Sequence, residues 1–471
     1  MSTLLLSAFL VAVPSGQTSS PDSILPWLES RADTYGKIAH QIWGYAEVGY
    51  QEQKSSALLQ QHLREAGFTV DAGVAEIPTA FIAAWGSGKP VLAFIGEFDA
   101  LPGLSQEAVP QRKPMQAGAP GHGCGHHLLG TGSMAAAIAL KEWLAANKRP
   151  GTIRYYGTPA EEGGSGKVYM VRAGLFKDTD AVIAWHPGDG NGVDGGSTLA
   201  NITGKFRFHG VSAHAAGAPE RGRSALDGLE AMTFMINLMR EHVPDATRLH
   251  YVITRGGGAP NVVPDFAELY LYARHPDMRT LDAIWDRLVK AGEGAALGTG
   301  TRMEYEITGA VHSLLSNAAL GRVMHDQLTR VGGVRYSPQE AAFAADLRKS
   351  FDVAPPGQNS QERIDPIAGG VSSASTDLSD VSWNVPTVHL GAATYVPGTP
   401  GHSWQATACG GMSIGRKGMM VAAKTMALTA AAIVNDPQVL ARARREFDKK
   451  REGFVYKTRL RDRKPALDYR K

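Results

Sequence analysis

A chain of 471 residues is too long for one simple core and implies roughly two or three domains. Its hydrophobic share of 43% and charged share of 20% are ordinary for a globular protein, and a formal net charge of +3 gives no reason to expect nucleic-acid binding. Only two cysteines occur, Cys124 and Cys409, which excludes a disulfide-rich scaffold and leaves at most one bridge arithmetically open.

Residues 4–13 (LLLSAFLVAV) form an apolar run followed by Pro14, Ser15 and Gly16. The run suits the core of a signal peptide within residues 1–20 and is too short to span a bilayer. A positively charged start and a clear small-x-small cleavage site are missing. The expectation is a periplasmic or secreted protein, with a cytoplasmic one as the alternative. No other uninterrupted apolar run reaches about 18 residues, so no membrane span is predicted.

Residues 24–67 read as helical, with apolar positions three to four apart and Gly67 as a stop. Short β-rich apolar runs follow at 81–85, 91–95, 152–157, 181–185 and 387–390, with a helix-forming stretch at 132–147. Buried runs alternating with helices predict an α/β domain with a mainly parallel sheet. Residues 199–308 look like a separate unit. Strands at 200–210, 248–254, 267–274 and 302–308 and helices at 224–242 and 280–292 give the β-α-β-β-α-β order of a ferredoxin-like fold. The economical reading is one α/β domain, 21–198 and 309–471, interrupted by an inserted α+β domain. The basic stretch 449–471 reads as solvated surface.

The unusual polar residues fall just after candidate strands or in strand-to-helix loops. Asp99 lies in GEFDALPG, Cys124, His126 and His127 in GAPGHGCGHH, Glu161 and Glu162 in TPAEEGG, and His186 in AWHP. In an open α/β sheet such ends gather into one crevice. Singly, each has an ordinary explanation: a small buried cysteine, a surface histidine, acidic residues favouring a helix start. Their combination offers thiolate, imidazole and carboxylate, a zinc-like ligand set, with glycines that let Cys124 and His126 approach one ion. Sites with two ions need a bridging ligand, and a thiolate can serve. Of the adjacent Glu161 and Glu162, one suits metal binding and the other proton transfer.

These ordered motifs, with FHGVSAHAAGAPERGRSALD, GGGAPNVVPDFAEL and PGTPGHSW, resemble those of the M20 metallopeptidase and amidohydrolase family. The resemblance runs from about residue 24 to the end of the chain. It lies in the branch of hippurate and indoleacetyl-amino-acid hydrolases. It implies a zinc-peptidase-like catalytic domain and two divalent ions, Zn²⁺ or Mn²⁺, bridged by Cys124. His126 and His186 would complete one metal site, and Glu162 and His402 the other. Glu161 would be the general base and then the general acid, with Asp99 orienting a ligand from behind. The inserted domain would mediate dimerisation, and His214 would reach the partner's site to stabilise the oxyanion. Asn261 and Arg274 would contact substrate, Arg274 through a carboxylate. The implied reaction is hydrolysis of the amide bond of an N-acyl or N-aroyl amino acid, in a homodimer or a heteromer with a paralogous chain. Alternatives are a dipeptidase of the same family, and a metal-binding component of a heteromer without activity of its own. Catalysis by Cys124 as a nucleophile would leave the other ligands unemployed. His127 departs from the aspartate usual in this branch and reads as a polar contact or helix-start packing.

Overall fold

Burial decides where the apolar runs sit. The computed structural model describes residues 20–352 and 359–471; the apolar run at 4–13 lies outside them. The helical stretch 24–67 is divided into α1 (Ile24–Glu29), α2 (Ala32–Tyr45) and α3 (Gln53–Glu65). Ala46 ends α2 in the left-handed region at φ 45°, and Gly67, at φ 86°, turns the chain after α3. Then come β1 (Thr69–Ala72), β2 (Phe81–Ser87), β3 (Val91–Gly96), α4 (His126–Ala146), β4 (Gly151–Gly157), α5 (Gly166–Arg172), β5 (Ala181–Gly188) and the two-residue β6 (Gly192–Val193). The next unit holds β7 (Ala200–His209), α6 (Ala225–Met239), β8 (Arg248–Arg255), β9 (Phe266–His275), α7 (Met278–Thr299) and β10 (Arg302–Val311). The chain ends its regular structure with α8 (Ala318–Val331), α9 (Pro338–Arg348), α10 (Leu378–Ser382), β11 (Thr387–Ala393), α11 (Trp404–Gly411), α12 (Ser413–Asn435) and α13 (Pro437–Lys450).

The larger sheet has the order β1-β2-β4-β3-β5-β11-β6. It is mixed, which corrects the mainly parallel sheet expected. The pairs β4–β3, β3–β5 and β5–β11 are parallel, whereas β1–β2, β2–β4 and β11–β6 are antiparallel. β3 is buried at every position, as its unbroken VLAFIG run requires of a strand covered on both faces. Because β4, β3, β5 and β11 run the same way, the loops leaving their C-terminal ends meet along one edge. On one side α4 packs against α12, and Gly132 lets them close: a Cβ there would lie 3.0 Å from Met419 Cγ. By length and composition α12 could cross a membrane, but it is largely buried as a core helix against α4 and α8.

The second sheet has the order β10-β7-β9-β8, antiparallel throughout. That is the ferredoxin-like order read from the sequence. Helices α6 and α7 pack against it, with Trp285 beside Phe206 at 5.7 Å between ring centroids. β10 runs to Val311, three residues past the boundary read at 308, and Val311 still pairs with Asn201.

The basic stretch after α13 is not the solvated surface it resembled. Leu460 is buried, and Arg463 pairs with Glu306 at 3.0 Å while donating to the Thr308 carbonyl at 2.8 Å. Tyr456 donates to Asp380 at 2.7 Å. Both cysteines are free, so no Cys124–Cys409 bridge forms.

Candidate active site

Four parallel strands deliver the polar clusters to one place. Glu97 and Asp99, both buried, leave the end of β3. Glu161 and Glu162 stand on the loop after β4. His186 lies within β5 rather than after it, because that strand continues to Gly188. His402 follows β11 at φ 53°, and its backbone N–H donates to the Gly123 carbonyl at 3.1 Å. Cys124 immediately precedes Gly125, and His126 opens α4. Gly125 has φ 75°, and a Cβ there would sit 2.7 Å from Tyr395 Oη and 2.8 Å from Pro187 Cβ. Only glycine fits that turn without strain, and the turn aims Cys124 and His126 at the same point.

The ligand atoms converge in three groups, the members of each within 4.8 Å of one another: Cys124 with His126 and His186, Cys124 with Glu162 and His402, and Glu97 with His126 and Glu161. Cys124 Sγ lies 3.3 Å from His186 Nε2, whose ring donates through Nδ1 to the Pro187 carbonyl at 2.7 Å. His402 Nε2 is 3.1 Å from Glu162 Oε1, and His126 Nε2 is 3.1 Å from Glu97 Oε2. These two contacts are close, yet Glu162 Oε1, His126 Nε2 and Glu97 Oε2 are buried without a hydrogen bond. Buried polar atoms without partners are costly, and acid and imidazole atoms facing one point fit a bound cation. Asp99 sits behind His126, its Oδ1 accepting from Nδ1 at 2.8 Å, while its Oδ2 accepts the Glu162 N–H at 2.9 Å.

The electrostatics follow from this crowding. Burial would raise the Cys124 thiol, but His126 and His186 outweigh it and hold the group down to about 5, so a thiolate is favoured. His402 is raised to about 10 by its contacts with Cys124 and Glu162. Glu161 is held well above the usual carboxylate range by burial, with Glu97 and Glu162 adding repulsion. Glu97 falls to about 2 despite burial, because Lys167 and His126 stabilise its anion.

Sequence reasoning missed Glu97, Lys167 and Asp377. Lys167, fully buried, bridges Glu97 at 2.8 Å and Asp377 at 2.5 Å, so a charged network underlies the site. The spacing of Glu97 and Asp99, two apart at a strand end, was a usable signal; the pairing of Lys167 with Asp377, far apart in the chain, was not. His389 was also passed over. It lines the cavity with its Nδ1 2.5 Å from Asp194. His127 is buried with Nε2 3.1 Å from the Gly410 carbonyl and packs beside His122, and burial holds its ring neutral.

A cavity of about 1020 Å³ opens over these groups. Its roof is the open face of the second sheet, where Asn201 is in register with Arg274 and Thr203 with Tyr272. Arg274 therefore faces the site. His214 and Asn261 do not line the cavity. Both are exposed and lie side by side, His214 bridging to Val262 and Ala215 N donating to the Asn261 carbonyl at 3.1 Å.

Residues 93–427 match the model of peptidase family M20/M25/M40. The chain is 42% identical to one of the two subunits of the p-aminobenzoyl-glutamate hydrolase of Escherichia coli (strain K12) over 446 residues, 89% of this chain and 93% of that protein. The other component of the same hydrolase is 30% identical over 271 residues, 54% of this chain and 61% of that one. Among solved structures, the aminobenzoyl-glutamate utilization protein from Klebsiella pneumoniae superposes with a TM-score of 0.61 at 22% identity, covering 88% of this chain and 98% of the other.

Proposed function

Since the chain belongs to peptidase family M20/M25/M40, metal-dependent hydrolases of amide and peptide bonds, we propose that Cys124 bridges two divalent ions and that the substrate is an N-aroyl or N-acyl amino acid of the p-aminobenzoyl-glutamate type. The observation that carries this reading is that Cys124 belongs to two ligand groups at once, with His126 and His186 on one side and Glu162 and His402 on the other. The thiolate and imidazoles favour zinc, and the carboxylate admits manganese. Divalent ions held there would polarise the scissile carbonyl and acidify the attacking water.

The chain's own residues supply the rest. Glu161 takes the proton of the attacking water and passes it to the leaving amine; its raised proton affinity suits both steps. Asp99 accepts from Nδ1 of His126 and so keeps Nε2 turned inward. Arg274, on the roof of the cavity, receives the carboxylate of the amino-acid part.

The unit 199–308 acts as a dimerisation domain in this reading. β8 is an unpaired sheet edge, and it and α6 expose Val252, Ile253, Phe234 and Leu238. His214 and Asn261, away from their own cavity, then reach the partner's, where His214 steadies the oxyanion and Asn261 the substrate. Similarity to both components of one hydrolase favours, as a second reading, a heteromer with a paralogous chain.

The test is amine release by the purified chain alone from p-aminobenzoyl-glutamate, N-acyl amino acids and dipeptides. Release from the aroyl substrate, lost on chelation and restored by Zn²⁺ or Mn²⁺, is expected. No release from any of them, or release that chelation leaves intact, overturns the proposal.

A further inference from the structure

The loop that carries Glu161 and Glu162 is unusual in its backbone. Ala160 (φ 56°), Gly163 (φ 92°) and Ser165 (φ 60°) all lie in the left-handed region, which side chains other than glycine's occupy at a cost. Such a loop keeps its shape only where its surroundings impose it. Glu52 Oε1 accepts the Ala160 N–H at 2.8 Å, and Asp99 Oδ2 accepts the Glu162 N–H at 2.9 Å. On the other side, the Glu162 carbonyl accepts two hydrogen bonds from the segment after α13: Tyr469 Oη at 3.0 Å and Arg470 Nη2 at 2.9 Å.

That segment is itself anchored at several points. Arg172 of α5 donates to the carbonyls of Arg461 at 2.9 Å and Arg463 at 2.6 Å, and Gln51 Nε2 donates to the Leu467 carbonyl at 2.7 Å. The Tyr469 ring meets Tyr50 edge-on at 5.6 Å, while Tyr50 Oη donates to the Gly164 carbonyl at 2.7 Å. Gly49 leaves the seat open, since a Cβ there would lie 2.2 Å from Tyr469 Oη.

We infer that residues 457–471 form a strap, and that Tyr469 and Arg470 are positioning residues that hold Glu162 where its carboxylate can ligate. The inference rests on the reading of Glu162 as a metal ligand. The backbone of Glu162 is fixed from both sides: Asp99 holds its N–H and also aligns His126, and the strap holds its carbonyl. Without the strap, the loop relaxes from its left-handed turns and the ligand moves away from His402 and Cys124.

The experiment compares the wild-type full chain with Tyr469→Phe, Arg470→Met, the double variant and Arg470→Lys. It measures Zn²⁺ affinity by competition with a chelator and the melting temperature of the metal-free protein. Removing partners that orient metal ligands typically weakens binding about 10- to 100-fold. The double variant is expected to lose that much affinity with its metal-free melting temperature unchanged, and Arg470→Lys to recover most of the loss from Arg470→Met. Wild-type affinity in the double variant overturns the inference, as does a fall in metal-free melting temperature that accounts for the lost affinity, which would make the strap merely structural. A wild type that takes up no Zn²⁺ overturns the metal reading itself, and the strap's role with it; that outcome is told apart because it needs no variant.

Discussion

Glu52 shows how far the chemistry of the site reaches into the protein beneath it. Its side chain is buried, accepting from the Ala160 N–H at 2.8 Å and from Thr79 Oγ1 at 3.2 Å. Burial, reinforced by the nearby Asp99 carboxylate, raises it from its ordinary 4.5 to about 8. The folded protein thus keeps a proton that the unfolded chain releases above about 4.5. The sign follows: Glu52 costs nothing below that pH, and its contribution grows unfavourable as pH rises through the window to about 8. Glu52→Gln keeps an acceptor for Ala160 and cannot ionise. Relative to this variant, the melting temperature of wild type should fall steadily between pH 5 and 8. A difference independent of pH, or one that grows in favour of wild type, would contradict the assignment.

At the scale of elements, the turn into α4 sets the separation of Cys124 and His126. Gly125→Ala forces a Cβ onto a left-handed residue and against Tyr395 and Pro187. A loss of about 1–3 kcal/mol of stability is expected in denaturant melts, with weakened metal uptake; unchanged values for both would show that the turn does not shape the site. The buried strands were readable in advance because β3, β5 and β11 sit inside the sheet and carry unbroken apolar runs. β1 and β6 were not, since one is a four-residue exposed edge and the other has two residues, too short for any periodicity. The break between α2 and α3 was hidden because it turns on Ala46, a residue that gives no warning of a left-handed conformation. Cys124, His126, Glu162, His186 and His402 were found because each stands in a distinctive motif that ends a strand or turn. Lys167 sits in an ordinary helical sequence, and its partners Glu97 and Asp377 are supplied by tertiary packing alone. Tyr469 and Arg470 lay in a basic stretch whose composition suggests solvent, while their role depends on where the chain returns.

At the scale of the whole molecule, the cavity has a floor of ligands from one sheet and a roof from the other. The apolar face of α6 and the edge of β8 lie away from it. Phe234, 64% exposed, and Leu238, 50% exposed, stand on that face, so replacing both with glutamate should leave the fold intact and abolish self-association in light scattering. An unchanged mass for the double variant would exclude this face as the interface. The centre of the account is that Glu161 moves the proton while its neighbours hold the metals. It is tested most directly by the turnover of metal-loaded Glu161→Gln. The account predicts full metal content with turnover reduced by about two to four orders of magnitude; near-normal turnover at full metal content would contradict it.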